Sequence, residues 1–197
     1  VVIRCGVLAL QGDFAAHAAA LGRAGAEAVE VRRPRDLEEV EALVIPGGES
    51  TTMLRLMAPD RLDAAIAARV REGMPVLGTC AGVIVLARRV EPPQPSLALL
   101  DVAVRRNAYG RQVHSAVAPV RLAEALGEPA EVEGVFIRAP RIEAVGPGVE
   151  VLGWREEDPV LVRQGHVLAA TYHPELTPDL RVHRLLLEEV HARATVP

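Results

Sequence analysis

The alternation of apolar and polar positions changes character near Pro92. Before that point, short apolar runs at 3–10, 27–32, 42–45 and 75–79 predict buried strands, and stretches of helical period at 13–24, 60–72 and 81–89 predict helices. After it come β-like runs at 100–104, 117–122, 133–137, 149–153 and 159–171, closed by a helix over 178–193. That last helix carries Val182, Leu185, Leu186, Leu187 and Val190 as an amphipathic, core-facing stripe. Strands alternating with helices predict an α/β fold on a doubly wound sheet, with extra β-strands in the C-terminal half. No repeat, low-complexity tract or linker interrupts the pattern, so residues 1–197 are expected to form one domain. The segment Glu91-Pro92-Pro93-Gln94-Pro95 reads as a surface loop within it.

Composition narrows the function classes. A chain of 197 residues that is 50% hydrophobic can bury one substantial core and is too short for two. A formal net charge of -4 offers no electrostatic case for nucleic acid or an anionic membrane as partner. No apolar run reaches the length of a membrane span and the N-terminus shows no charged-then-apolar leader, so a cytoplasmic protein is expected. With only Cys5 and Cys80, no disulfide framework is being built, and Cys5 lies in the first apolar run as a core residue. Two distant cysteines and six scattered histidines have no ligand spacing; neither a metal nor a cofactor is expected. All 22 basic residues are arginine, which excludes a Walker lysine, a Ser-Lys dyad and a Schiff base from this chain. Heat adaptation and codon usage both fit that bias.

Candidate chemistry begins at Gly78-Thr79-Cys80-Ala81-Gly82, where a predicted strand gives way to a helix. A nucleophile on such a turn projects clear of the backbone, small neighbours make the turn possible, and the helix start favours a thiolate. Taken alone, Cys80 reads equally as a packed core cysteine. Near the C-terminus, Tyr172-His173-Pro174-Glu175 answers it: on an extended chain His173 and Glu175 leave the same face, so a base and its orienting acceptor stand together. Cys80, His173 and Glu175 can therefore supply nucleophile, base and orienter if the fold unites the two segments. A third segment, Leu43 to Thr52, reads as a strand ending in a tight Pro46-Gly47-Gly48 turn before a helix. Two readings stay open there: backbone N–H groups of Gly47-Gly48 presented to an oxyanion, or a plain turn with Ser50 as helix N-cap. In open α/β sheets ligands sit at the carboxyl ends of the strands, where this turn and Cys80 would both lie.

On these motifs the chain resembles the class I, triad-type glutamine amidotransferases, and within them the glutaminase subunits of pyridoxal 5'-phosphate synthase (the PdxT family). The resemblance runs over essentially the whole length, through Gly6 to Asp13, Pro46 to Thr52, Gly78 to Gly82, Arg106-Asn107-Ala108-Tyr109-Gly110-Arg111-Gln112, Val135 to Pro140 and His173 to Thr177. The elbow and the His-Pro-Glu segment mark the class; the other segments mark the vitamin B6 branch. One departure is Ala116 after Ser115, where the pattern calls for phenylalanine.

The resemblance implies a three-layer, flavodoxin-like sheet and a Cys80-His173-Glu175 triad that releases ammonia from L-glutamine. It implies an oxyanion and substrate site made of Gly47, Gly48, Glu49, Ser50, Ala81, Arg106, Ile137 and Arg138, with Glu49 suited to an ammonium and arginine to a carboxylate. It further implies a (β/α)8-barrel synthase subunit as partner in a large hetero-oligomer, with glutaminase activity raised on docking through the permissive Gly47-Gly48 turn. Two other readings compete: another triad amidotransferase or cysteine hydrolase, and a non-catalytic docking subunit. No catalytic role is assigned to His17, His114, His166, His183 or His191, nor to Arg105, Arg111 or Arg141.

Overall fold

The computed structural model describes residues 2–108 and 115–194; Tyr109 to Gln112 of the arginine-rich motif, and His114, lie outside the described residues. The first half alternates strand and helix. In chain order it contains β1 (Arg4–Leu8), α1 (Phe14–Arg23), β2 (Glu27–Val31), β3 (Ala42–Ile45), α2 (Ser50–Met57), α3 (Leu62–Arg71), β4 (Val76–Thr79) and α4 (Ala81–Leu86). The second half is mostly strand: β5 (Ala87–Glu91), β6 (Leu100–Arg105), β7 (Ser115–Leu122), β8 (Glu131–Ile137), β9 (Arg141–Val145), β10 (Glu150–Arg155), β11 (Asp158–Gln164) and β12 (Val167–Ala170), before α5 (Arg181–Ala194) closes the chain.

Among the described residues, nine strands form one sheet in the order β2-β1-β3-β4-β12-β11-β10-β7-β8. From β2 to β12 all neighbours are parallel; from β12 to β8 all are antiparallel. Strands β5, β6 and β9 make a second small sheet.

Side-chain alternation explains the layers. In β3, Ala42 and Val44 enter one core while Leu43 and Ile45 enter the other; in β12, Leu168 and Ala170 oppose Val167 and Ala169 in the same way. Both faces are apolar, which requires cover on both sides. On one side it comes from Leu21 of α1 and Val182, Leu185, Leu186, Leu187 and Val190 of α5. On the other it comes from Met53 and Met57 of α2, Ile66 and Val70 of α3, and Val83 to Leu86 of α4, with Leu100, Val102, Val104 and Ile142 of the small sheet. The result is the α/β architecture the pattern predicted, in the three layers the resemblance implied. Cys5 is wholly buried in β1, where desolvation, with the charge of Glu41, pushes its thiol up to about 12.

Several expectations need correction. The apolar run 159–171 is a hairpin, because Gly165 adopts φ 57° and turns β11 back into β12. The helix expected over 81–89 stops at Leu86, and Ala87 passes directly into β5, parallel to β6. Strand β9 was not foreseen, since only Ile142 of its five residues is buried and the run lacks an apolar signature. Ala116 does not disrupt its strand: β7 pairs with β8 from Ser115 onward, with Ala116 opposite Phe136. Among the described residues no helix is long and apolar enough to cross a membrane.

Helix α4 reaches the sheet through Gly82, where an added Cβ would sit 2.2 Å from the Ile45 carbonyl oxygen. Backbone cannot yield as a side-chain tip can. Gly82→Ala is expected to lower the unfolding free energy by about 1–3 kcal/mol, the usual cost of overpacking, with the urea midpoint as readout.

Candidate active site

The parallel pair β4·β12 brings the distant motifs together. Ala170 lies opposite Thr79, and the register continues one step further as Cys80 N–H donates to the Ala170 carbonyl at 2.9 Å. Cys80 therefore leaves β4 beside the segment that carries His173, at the carboxyl edge of the sheet. Its backbone has φ 49° and ψ -107°, a conformation that costs a non-glycine residue roughly 1–3 kcal/mol and is tolerated where it aims a side chain. The Sγ points toward the main-chain carbonyl of Ile137 at 3.6 Å.

His173 is only 6% exposed, and its main-chain N–H donates to Val135 of β8 at 2.8 Å, which fixes the loop after β8 over the elbow. The segment is not extended, contrary to the expectation from alternation. Pro174–Leu176 forms a 3₁₀ turn, because proline with its fixed φ suits the first helical position, and Thr177 closes it by donating to the Pro174 carbonyl. The contact survives the change of backbone: His173 Nδ1 and Glu175 Oε1 are 2.6 Å apart, with Glu175 buried behind the imidazole. Burial works against the imidazolium, yet hydrogen bonding and charge from Cys80 and Glu175 outweigh it and raise His173 to about 10.

In front of His173 lies an open cavity of about 460 Å³, within the range of small-molecule sites. Cys80 and Ala81 enter it from the elbow, Gly47 to Ser50 from the turn after β3, Arg106 from beyond β6, and Ile137 and Arg138 from the end of β8. Glu175 is the one predicted site residue that does not line the cavity. The turn is tightly built: a Cβ on Gly47 would meet His173 Cε1 at 2.6 Å and Cys80 Cβ at 3.2 Å.

Ser50 is not the cap of α2. Glu49 is, accepting from the main-chain N–H groups of Thr51 and Thr52 at 3.1 and 2.7 Å and from the Thr52 hydroxyl at 2.8 Å. A carboxylate competes well for helix-terminal amides, and it leaves Ser50 inside the first turn with its hydroxyl bonded to Gln94 at 3.2 Å. Hydrogen bonds from Thr51 and Thr52, against a smaller opposing effect of burial, pull Glu49 down to about 2, so it is a fixed negative charge at the cavity mouth. Arg106 approaches it to 3.8 Å, and Arg138 holds a left-handed φ of 46° at the rim. These groups offer one fixed carboxylate and two guanidinium groups around a thiol.

Sequence reasoning missed two sets of residues. Gln11, Gly12 and Asp13 also line the cavity, and Gln11 Oε1 accepts the Glu49 N–H at 3.1 Å; their signal is a polar run at the carboxyl end of β1. His17 and His183 are wholly buried behind Glu175 and bonded to each other at 3.0 Å, although nothing in their spacing sets them apart from the other histidines. Among the described residues no group of His, Cys, Asp or Glu side chains is arranged to hold a metal ion.

Comparison with known proteins adds family information to this geometry. Residues 7–192 match the SNO glutamine amidotransferase family. A protein of Koribacter versatilis described as pyridoxal 5'-phosphate synthase subunit PdxT is 54% identical, over 95% of this chain and 96% of its own length. One of the same description from Thermotoga petrophila is 47% identical, over 95% and 100%. A solved glutamine amidotransferase superposes with a TM-score of 0.88 at 49% identity, covering 95% of this chain and 98% of its own. PurLQS from Thermotoga maritima, 16% identical with coverage of 99% and 100%, shares the fold at a TM-score of 0.71.

The buried histidines make stability pH-dependent in a defined sense. Desolvation, with the charge of Arg23, lowers His183 from its ordinary value of 6.5 to about 4, so it stays neutral in the fold while the unfolded chain protonates near 6.5. The unfolded state binds the extra proton, so the contribution is complete above pH 6.5 and is lost as pH falls toward 4. Unfolding free energies from urea titrations should drop by roughly 3 kcal/mol over that window from this group alone. His183→Leu should remove about one proton from the slope.

Proposed function

The chain belongs to the SNO glutamine amidotransferase family, and we propose that it hydrolyses L-glutamine to L-glutamate and ammonia at Cys80, as the glutaminase subunit of a pyridoxal 5'-phosphate synthase. The observation that carries the chemistry is the 2.6 Å contact between His173 and the buried Glu175, beside a strained cysteine that opens onto the cavity. In this reading the whole chain acts as one amidotransferase domain in the cytoplasm.

The steps follow from the protonation states. His173, raised to about 10, holds a proton at neutral pH, and the reaction as proposed starts from a Cys80 thiolate that has passed its proton to that imidazole. The thiolate adds to the side-chain amide carbon of glutamine; His173 gives its proton to the departing nitrogen, and ammonia leaves as the thioester forms. Thioester formation removes the thiolate and with it part of the interaction that raised the imidazole. His173 can then accept a proton from the water that hydrolyses the thioester to glutamate. Glu175 keeps Nδ1 facing away from the reacting atoms throughout.

Backbone N–H groups of Gly47, Gly48 and Ala81 are the donors for the oxyanion of each tetrahedral intermediate. Glu49 is the partner of the substrate α-ammonium, and Arg106 and Arg138 are the partners of its α-carboxylate, with Ser50 and Ile137 shaping the wall. The released ammonia passes to a (β/α)8-barrel synthase subunit in a hetero-oligomer; the relatives' description as a synthase subunit supports a partner.

Glutamate release, measured with and without a candidate barrel subunit, tests the assignment. Cys80→Ala should abolish turnover while partner docking persists. His173→Ala should cost several orders of magnitude, and Glu175→Ala roughly tenfold to a hundredfold less than that, as orienting residues do in hydrolase triads. Wild-type turnover by Cys80→Ala would refute the nucleophile. Equal turnover with and without the barrel subunit would refute activation by docking.

A further inference from the structure

Behind the triad lies a buried polar chain that the reaction as described does not use. His17, on α1, is wholly buried, and its Nε2 lies 2.9 Å from Thr79 Oγ1 and 3.3 Å from Glu175 Oε2. Its other ring nitrogen, Nδ1, lies 3.0 Å from Nε2 of His183 on α5, which is equally buried. Glu175 uses Oε1 for His173, while Oε2, shielded from solvent and 3.3 Å from His17 Nε2, has no hydrogen-bond partner among the described residues. A buried carboxylate oxygen without a donor is expensive.

Resting on the glutaminase reading, we propose that His17 is a positioning residue of the triad, donating its Nε2–H to the outer oxygen of Glu175, while His183 donates to His17 Nδ1 and so fixes that tautomer.

Of the two directions of hydrogen bonding, one leaves the cheaper defect among these atoms. A carboxylate oxygen can only accept, so Nε2 of His17 must carry the proton, shared between Glu175 Oε2 and the Thr79 hydroxyl. Nδ1 is then a lone pair and must accept, which makes His183 the donor through Nε2. His183 Nδ1 is left as a bare acceptor, and that atom is the one found buried with no partner. The reverse direction would aim a His17 lone pair at the carboxylate and strand a buried N–H, the costlier defect. Neutrality is required for this arrangement: desolvation, joined by the charges of His183 and His173, holds His17 well below its ordinary value. The outer imidazole thus does for Glu175 what an outer-sphere carboxylate does for a metal-bound histidine, holding the orienter itself in orientation.

Two measurements decide the proposal. In protein labelled with 15N-histidine, His17 should show a protonated Nε2 and an unprotonated Nδ1, and His183 a protonated Nε2; a proton on His17 Nδ1 would overturn it. Glutamate release in the complex with the barrel subunit should show kcat lowered about tenfold to a hundredfold for His17→Leu, with KM within about twofold. His17→Gln, whose side-chain amide keeps a donor near the Nε2 position, should recover most of that loss. A folded His17→Leu with wild-type kcat, or a His17→Gln as slow as His17→Leu, would defeat it. If His17→Leu does not fold, His183→Leu takes its place: His17 should then show mixed tautomers and a reduced kcat, and an unchanged single tautomer would refute the chain. Absence of wild-type turnover would sink the glutaminase reading alone. The tautomers, and the downfield His173 Nδ1–H resonance that should weaken in either leucine variant, are read without substrate.

Discussion

The parallel pairing of β4 with β12 is the contact on which the rest of the molecule depends. It joins residues 76–79 to residues 167–170, and it marks the border where the sheet changes from parallel to antiparallel. Parallel strands end on the same edge, so Cys80, just past one, and His173, just past the other, come together without help from any loop. The strained elbow at Cys80 is sustained by the same pairing, through the main-chain bond from Cys80 to Ala170. The apolar residues of both strands, buried on both faces, supply the burial energy that outweighs the strain.

Upon that frame sits a line of polar groups running inward: Cys80, His173, Glu175, His17 and His183. Burial would ordinarily neutralise such groups, and it does so for the two innermost histidines. At His173 the balance reverses, because the Cys80 sulfur and the Glu175 carboxylate on either side favour the proton. One stretch of low-dielectric interior thus holds imidazoles of opposite preference, separated by a single carboxylate. The neutral ones keep that carboxylate from being diluted by a second cation.

The fold class was legible because its signal is periodic: short apolar runs punctuated by helical spacing need no partner to be recognised. The meeting of Cys80, His173 and Glu175 was legible because glycine, proline and acidic neighbours restrict what those segments can do. What escaped depends on context. The 3₁₀ turn at Pro174 could not be told from extended chain, since both bring His173 and Glu175 to one side. Glu49 displaced Ser50 as cap because a charged acceptor binds the helix amides more strongly than a hydroxyl, a competition that N-cap propensity alone decides for serine. His17 and His183 were unreadable for a simpler reason. Their meaning lies wholly in being 166 residues apart in sequence and 3.0 Å apart in space.

In the proposed glutaminase reading, the capped state of Glu49 bears on which glutamines the site would accept. Its charge is held by amides and hydroxyls of its own helix turn, so it is present whether or not the cavity is filled. Free glutamine brings an ammonium that matches this fixed charge. A glutamine within a polypeptide has only a neutral amide at that position, and would strip water from the carboxylate without replacing it. The same small feature that starts a helix would then separate a free metabolite from the glutamine side chains of proteins.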